Sequence, residues 1–501
     1  MQVKTASDEL QNYLTDASNM PGGYAEKLFI PESSAEVAEV LKEAHERLVP
    51  VTVSGARTGT VGGAVPFGGC VLSLERLNRI VSVDRENLSA TVEAGVVLTD
   101  FQKAVEAENL FYPPDPTEWS CQIGGTVATN ASGARSFKYG ATRNFVRGLE
   151  VVLATGEILR LKRGEIRSRG GVLEIPTAGA GGAIRAKMPT YRQPNVRKNT
   201  SGYFAADETD AVDLFIGSEG TLGVITEIDL RLLPKPEAFF SGIVFFADEA
   251  DLLAFVGEAR ALSFAARQIQ NPKSKIQNPF DASLIEYFDE KALKFIAEKF
   301  PEVPDSARGA IFFEQETTAA TEDASLEQWN ALLERHNADL ERSWFTTTEA
   351  DREKMRAFRH ALPVAVNERI VRYRQKKVGT DMAVPDEHFA SFLKFYREKL
   401  DASGLDYVIF GHIGDNHLHA NLLPKSDEEA VRARHLYGRF IAQAVMIGGT
   451  ISAEHGIGKH KSKYLYVQYG ERYLNEMAEL KKAFDPHGIL GRGNMFDAKF
   501  L

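Results

Sequence analysis

Two domains of α+β class, the first rich in short strands around glycine loops, are what this sequence predicts. Three observations carry the prediction. The chain has 501 residues, too many for one ordinary hydrophobic core. Up to Pro236 it alternates short β-patterned runs with glycine-rich stretches, and Pro-Lys-Pro at 234–236 marks a boundary. Beyond Pro236 strands alternate with long amphipathic helices, and a second α+β layer follows from that texture. The organisation read from this is a domain over 1–236, a second over 237–484, and a terminal segment over 485–501.

The first half reads as follows. A helix is expected over 35–48 behind the capping run Pro-Glu-Ser-Ser, and a strand VPVTVS follows it. Strand patterns recur in CVLSL, NRIVSVDR and SATVEAG, with a helix over 98–109. GLEVVLATGEILRL reads as a hairpin around Thr155-Gly156. Residues 162–212, rich in Gly, Pro and Arg, read as a long surface excursion. DLFIGSEGTLGVITEIDLRLLPKP restores the β pattern.

In the second half IQNP occurs at 269–272 and again at 276–279, which reads as a duplicated loop insertion without function. RGAIFFEQE is strand-like. Helices are expected over 325–341, 350–368 and 427–447, the last ending at Gly448-Gly449. Strands are expected around 378–385, and a final helix precedes FDPHGILGRGNMF.

Composition excludes several classes. Hydrophobic content of 44% and charged content of 26% are those of a soluble globular protein. A net charge of −10 argues against nucleic acid as a partner, so an anionic substrate needs a local basic pocket. Cys70 and Cys121, the only cysteines, provide no disulfide framework and no cysteine-based metal site, and suit a reducing compartment. The N-terminal residues lack an apolar signal core, and no run approaches the roughly 18 apolar residues of a membrane span. A cytoplasmic location is expected, with peripheral attachment to an inner membrane left open.

The chain carries neither G-x-G-x-x-G nor G-x-x-x-x-G-K-[ST], so a nicotinamide-type Rossmann site and a P-loop are not supported. It does carry three glycine-rich turns beside apolar strands, at 54–63, 124–133 and 217–223. Closely spaced glycines let backbone N–H groups converge on an anion. One such loop alone reads as mobile surface; three in one domain read as the edges of one extended cofactor.

The stretch Tyr407–Leu423, YVIFGHIGDNHLHANLL, reads as a hairpin turning at Asp415-Asn416. That turn pairs His412 with His419 and Phe410 with Asn421, and puts Phe410, His412, His417, His419 and Asn421 on one face. Paired Cβ atoms lie roughly 5 Å apart, so His412 and His419 are placed to hold one divalent metal. The residues alone leave an ordinary polar strand surface as the other reading. Of the 11 histidines, six fall within 412–460.

The segments SGARTGTVGGAVP, PPDPTEWSCQIGGTVATNASGARSFKYGATRNFV and DLFIGSEGTLGVITEIDLRLLP resemble the flavin domain of FAD-linked oxidases. The likeness is to the vanillyl-alcohol-oxidase or p-cresol-methylhydroxylase type. GHIGDNHLHAN, SAEHGIGKHK and FDPHGILGRGNMF resemble the FAD-linked oxidase C-terminal domain of D-lactate, glycolate and D-2-hydroxyglutarate dehydrogenases. The resemblance spans roughly residues 16 to 496. It implies a two-subdomain FAD-binding domain followed by a cap, or substrate, domain with an antiparallel sheet.

The resemblance also implies roles. Ser54, Gly55, Ala56, Arg57, Thr58, Gly59 and Thr60, with Gly62 and Gly63, would cradle the FAD pyrophosphate. Pro114, Asp115, Cys121, Gly124, Gly125, Asn130 and Gly133 would line a second flavin edge. Glu219, Gly220, Gly223 and Ile225 would meet the adenosine end, and Asn494 would return to the isoalloxazine. Some members of the family attach flavin through a histidine of the first loop. None lies between His45 and His336 here, so non-covalent FAD is expected.

His412, His419 and Glu454 would bind zinc, and Asn421 and His455 would face substrate and catalysis. Arg359 would take a substrate carboxylate, with Lys377 as a second cation. The implied activity is oxidation of a D-2-hydroxy acid, such as D-lactate or glycolate, by FAD with a divalent metal. Alternatives are the flavin subunit of a multi-component glycolate-oxidising complex and a transferase like alkyl-dihydroxyacetone-phosphate synthase. A cytochrome, a quinone, an electron-transfer flavoprotein and oxygen stay open as acceptors, as do a homodimer and partner subunits.

The sequence departs from the family pattern in two places. It reads GDNHLH where many members read GDGNLH, which adds His417 to the expected metal face. The excursion over 162–212 is longer than expected, and its NVRKNTSGY is a candidate to approach the site.

Overall fold

The computed structural model describes residues 1–177, 182–268, 280–346 and 348–501. The doubled IQNP lies outside them. The first half forms two small sheets. Lys27–Ile30, Cys70–Ser73 and Val51–Ser54 run parallel, with Gln2–Lys4 antiparallel at one edge. The second sheet is antiparallel and ordered Ile80–Asp84, Ser89–Glu93, Val224–Arg231, Val146–Val152, Ile158–Lys162. Its strands show the alternation expected of a sheet with one buried face, as in Ile158–Lys162, where Leu159 and Leu161 are buried and Arg160 and Lys162 are exposed. The helix expected over 35–48 is Ser34–Arg47, and Ser33 Oγ caps it by accepting from Glu36 N–H.

The second half is built on a seven-stranded antiparallel sheet. Its order is Trp344–Phe345, Ala238–Phe246, Gly309–Thr317, Ala282–Asp289, Asp406–Gly411, His419–Leu423, Val378–Gly379. Helix Glu349–Arg372 lays Met355, Phe358, Leu362, Val366 and Ile370 over one face, against Phe288, Val408 and Leu423. These residues follow the three-to-four spacing that carries an apolar stripe. On the other face Trp329 of Glu322–Arg335 stacks on Phe313 at 3.7 Å between ring centroids. That helix starts and ends earlier than the expected 325–341, because Asn337 turns to a left-handed φ of 53°. Of the strands expected around 378–385, only Val378–Gly379 pairs in the sheet.

The chain after Phe484 returns to the first half. Val51 donates to Ile489 O, and Gly491 donates to Val51 O, so this segment runs beside the strand that leads into the first glycine loop.

The surface excursion expected over 162–212 is a correction. Val172–Pro176 and Ala183–Lys187 pair as an antiparallel ribbon that packs on helix Ser462–Phe484. Tyr191 and Tyr203 are buried beneath it, and Lys198, Thr200 and Ser201 are buried between the two halves of the molecule. Gly, Pro and Arg content signals irregular backbone; it does not signal exposure when buried tyrosines and a buried lysine punctuate the run.

Candidate active site

The histidine hairpin forms, but in a different register from the one expected. Phe410 pairs with His419 and Val408 with Asn421. His412 and His419 are therefore not a ladder pair, and Asp415-Asn416 is not a two-residue turn. Ile413–Asp415 make a tight helical turn instead, and His417 N–H and Asp415 N–H both return to His412 O. The reason is Asp415, which is buried. It takes Arg197 Nε at 2.9 Å and Ser136 Oγ at 2.7 Å, with Lys198 Nζ at 3.8 Å. A two-residue turn would leave this carboxylate at the solvent-facing tip. The displacement is by two residues, so facing is preserved, and the three imidazoles still converge. Ring centroids lie 5.6 Å apart for His412 and His419, 5.4 Å for His412 and His417, and 4.5 Å for His417 and His419. Gly411 makes room at φ 126°, since a side chain there would meet the His419 ring at 3.0 Å.

Glu454 closes the cluster from the loop after helix Asp427–Met446. Its Oε1 lies 3.1 Å from His419 Nε2 and 3.3 Å from His412 Nε2. Its Oε2 accepts from Lys198 Nζ at 3.0 Å and Ser132 Oγ at 3.2 Å. Behind the cluster each ring has an anchor. His412 Nδ1 meets Glu286 Oε1 at 2.5 Å, and His419 Nδ1 meets Thr380 O at 3.0 Å. Those acceptors hold Nδ1–H on both rings and turn both Nε2 atoms toward Glu454. Burial alone would raise Glu286, but His412 and Arg359 hold it down, at about 2. Burial alone would lower His412, but Glu286 and Glu454 raise it to about 9. Burial works against ionised Glu454 too, and Lys198 with His412 and His417 outweighs it, keeping the carboxyl well below its ordinary value.

Asp381 organises the other side. It is fully buried and accepts from Ser452 Oγ at 2.7 Å, Glu454 N–H at 3.2 Å, His455 N–H at 3.1 Å and Lys461 Nζ at 2.5 Å. His455 stacks on His419 at 5.4 Å, with Nδ1 3.5 Å from Asp381 and Nε2 3.8 Å from Glu454 Oε1. The surrounding protein lowers the His455 imidazole toward about 4, against the pull of Asp381. Its side chain keeps 37% of its exposure, so solvent moderates that displacement, and the direction is what matters: a neutral imidazole at pH 7 that a substrate can reach.

Of the two expected cations, Arg359 is at the site. It projects from Glu349–Arg372 with Nε 3.3 Å from Glu286 Oε2, on the opposite oxygen from His412. Lys377 is exposed, and among the described residues no hydrogen bond or ion pair ties it to the cluster. Asn421 is buried one strand position beyond the neighbour of His419, opposite Gly379.

The three glycine loops lie against one another. A side chain at Gly55 would meet Gln122, and one at Gly220 would meet Val53. Glu219 N–H donates to Ala128 O, joining the second and third loops. Gly133 passes so close to Asp115 that an added Cβ would sit 1.9 Å from its carbonyl oxygen. Gly59 and Gly125 face open space. Asn494 donates to Gly63 O at 3.0 Å and accepts from Lys459 Nζ at 2.8 Å, which ties the terminal segment to the first loop. The Glu219 carboxylate is spent on Ile457 and Gly458 N–H, pinning the loop that carries Glu454 and His455 to the first half of the chain. Asn130 Oδ1 accepts from Arg143 N–H, and Gly223 and Ile225 pack inside and beside the central strand. Cys121 is buried and its thiol is pushed up to about 12, which leaves it a small apolar group.

Glu286, Thr380, Asp381 and Lys198 were not identified by motif reasoning. Lys198 stood inside NVRKNTSGY, the stretch marked as a candidate to approach the site. Asp381 stood in the strand-like VGTDMAVP. Glu286 carried no signal, since it sits on an otherwise apolar strand.

Comparison with known proteins follows the same division. Residues 25–162 match the family model described as FAD binding domain, and residues 269–495 match FAD linked oxidases, C-terminal domain. The chain is 34% identical over 490 residues to a D-lactate dehydrogenase of Anaerostipes hadrus, covering 92% of this chain and 88% of that one. It is 30% identical over 496 residues to the glycolate oxidase subunit GlcD of Bacillus subtilis, covering 97% and 92%. It is 31% identical over 509 residues to a D-2-hydroxyglutarate dehydrogenase of Xanthomonas citri pv. viticola, covering 99% and 94%. Among solved structures, p-cresol methylhydroxylase with substrate bound superposes with a TM-score of 0.69 at 17% identity, covering 99% of this chain and 94% of that one. Alkyldihydroxyacetonephosphate synthase gives 0.67 at 17% identity, covering 98% and 82%. At such identities the structures speak for the fold alone.

Proposed function

We propose that this chain, which belongs to the FAD-linked oxidases, oxidises a D-2-hydroxy acid of the lactate or glycolate class to the 2-oxo acid. The observation that carries the reading is the buried cluster of His412, His419 and Glu454 beside the reachable, neutral His455. Imidazole and carboxylate donors fit a divalent metal, zinc above magnesium or calcium. Inward-facing Nε2 atoms, on rings anchored at Nδ1 by Glu286 and Thr380, are what a metal centre requires of this chain, and a metal would take the place of the Nε2 proton of His412. A bound metal would supply Lewis acidity to the substrate hydroxyl, and FAD would supply the acceptor for the Cα hydride.

The chain's own groups do the rest. Arg359, held by Glu286, offers its outer N–H groups to the substrate carboxylate. His455 Nε2 takes the hydroxyl proton, and Asp381 holds the ring and stabilises the imidazolium that forms. Asn421, buried opposite Gly379, would hydrogen-bond the substrate. The glycine loops, closed by Asn494 and Lys459, hold FAD without a covalent histidine link.

His455→Gln tests this. The variant should keep its flavin absorbance, while the rate of flavin reduction by substrate falls about 10²–10⁴-fold. Unchanged reduction would remove His455 as the base. A second reading is favoured by the subunit GlcD relative: a flavin subunit that turns over only with partner chains. Steady turnover of the isolated chain with an artificial acceptor excludes it. No helix of the described residues is long and apolar enough to cross a membrane; the cytoplasm, with peripheral membrane contact allowed, is the proposed location.

A further inference from the structure

His417 is the residue that the family pattern does not account for. It is fully buried, and neither ring nitrogen makes a hydrogen bond of good geometry among the described residues. A buried imidazole without well-aligned partners is costly. Its surroundings explain the placement. Nε2 lies 3.1 Å from Asp381 Oδ1, out of line for a good hydrogen bond, and Nδ1 points at the cluster, 3.9 Å from Glu454 Oε2. His412 and His419 show the same plan with the nitrogens exchanged: one nitrogen on a fixed acceptor, the other facing Glu454.

We infer that His417 Nδ1 is a further protein ligand of this metal centre, which therefore takes three imidazoles and one carboxylate. The inference rests on the metal reading proposed above. The ligand atoms of His412, His417, His419 and Glu454 all lie within 4.8 Å of one another. Four ligands at about 2.0–2.1 Å in a tetrahedron lie about 3.3 Å from one another, so side-chain rotations that draw these atoms together by about 1.5 Å at most close the site. Asp381 then acts as the outer carboxylate of His417, as Glu286 does for His412. The position is set by the tight turn at Ile413–Asp415, which lifts His417 out of the ladder and returns its N–H to His412 O. A third imidazole moves the donor set further from magnesium and calcium, toward zinc and its first-row neighbours. A substrate oxygen reaches the ion by adding a fifth ligand, not by filling an open fourth corner.

The test is zinc-edge X-ray absorption on the FAD-loaded, zinc-loaded enzyme, which counts coordinated imidazoles, together with zinc affinity by competition against a chromophoric chelator. Three imidazoles in the wild type support the inference, and two overturn it. His417→Asn should lower the count by one and weaken zinc binding by about 100-fold or more, beyond the loss typical of an outer partner. An unchanged count in a variant that keeps its flavin overturns the inference. If His417→Asn does not fold, the wild-type count alone decides. A wild type that binds no metal under any loading condition overturns the proposed function's metal centre as well, so the two failures are distinguishable.

Discussion

Glu286→Gln separates a metal-orienting carboxylate from a merely buried one. Glu286 accepts from His412 Nδ1 at 2.5 Å and from Arg359 Nε at 3.3 Å, and all three groups are largely buried. Glutamine keeps the shape and one acceptor oxygen but removes the charge. A charge-assisted hydrogen bond contributes about 1.5–3 kcal/mol, roughly twice a neutral one, so the change removes about half of that from the bond that fixes the His412 ring. The Arg359 contact weakens by a comparable amount. Loss of an outer partner lowers metal affinity about 10–100-fold, or about 1.4–2.7 kcal/mol. The assay is zinc competition against a chromophoric chelator, with flavin content as the control. Among the described residues the hydrogen bonds of Glu286 go to His412 and Arg359 and none to a glycine loop, so flavin content should not change. Metal affinity equal to that of the wild type would refute the orienting role of Glu286 and the inward orientation of His412 Nε2.

Two further outcomes follow from the geometry. Gly133→Ala places a Cβ 1.9 Å from the Asp115 carbonyl oxygen, a backbone atom that cannot rotate away. It should cost about 1–3 kcal/mol and reduce the flavin retained through purification, measured by the ratio of flavin to protein absorbance. Acid titration of the chelated protein should show opposed histidines. Burial holds folded His417 at about 3, below the ordinary imidazole, so the unfolded chain binds the extra proton and stability falls as pH drops from about 6.5. His412, raised to about 9, contributes stability that is fully present below about 6.5 and is lost as pH rises through about 9. Unfolding free energies from denaturant titration at several pH values should therefore lose up to about 1.4 kcal/mol per pH unit of acid-side slope in His417→Asn; an unaltered slope would contradict the buried neutral state.

What the sequence made legible depended on locality. Glycine loops and the pair His412 and His419 could be read because turn chemistry and alternation act over a few residues. The register could not, because Asp415 is captured by Arg197 and Lys198, more than two hundred positions earlier, and that ion cluster overrides the local preference for an Asp-Asn turn. Glu286 and Asp381 stayed hidden for the same reason: a carboxylate on a buried strand has no pattern of its own until His412, His455 and Lys461 are folded against it. The stretch over 162–212 misled in the other direction. Its composition is that of a surface loop, yet Tyr191, Tyr203 and Lys198 are buried in it, and Lys198 neutralises Glu454. Parity explains why the expected and the observed register bring the same side chains together, since a two-residue displacement leaves every side chain on its face.

The central claim is that the His/Glu cluster and the flavin act on one D-2-hydroxy acid. Anaerobic mixing of the FAD-loaded enzyme with D- and L-lactate, and with glycolate, tests it most directly when the oxidised-flavin band is followed before chelation, after chelation and after zinc is restored. Loss of the band with D-lactate or glycolate, abolition by chelator and recovery with zinc, with L-lactate inert throughout, is the predicted result. Flavin reduction that is indifferent to chelation, or a flavin that no 2-hydroxy acid reduces, would contradict it.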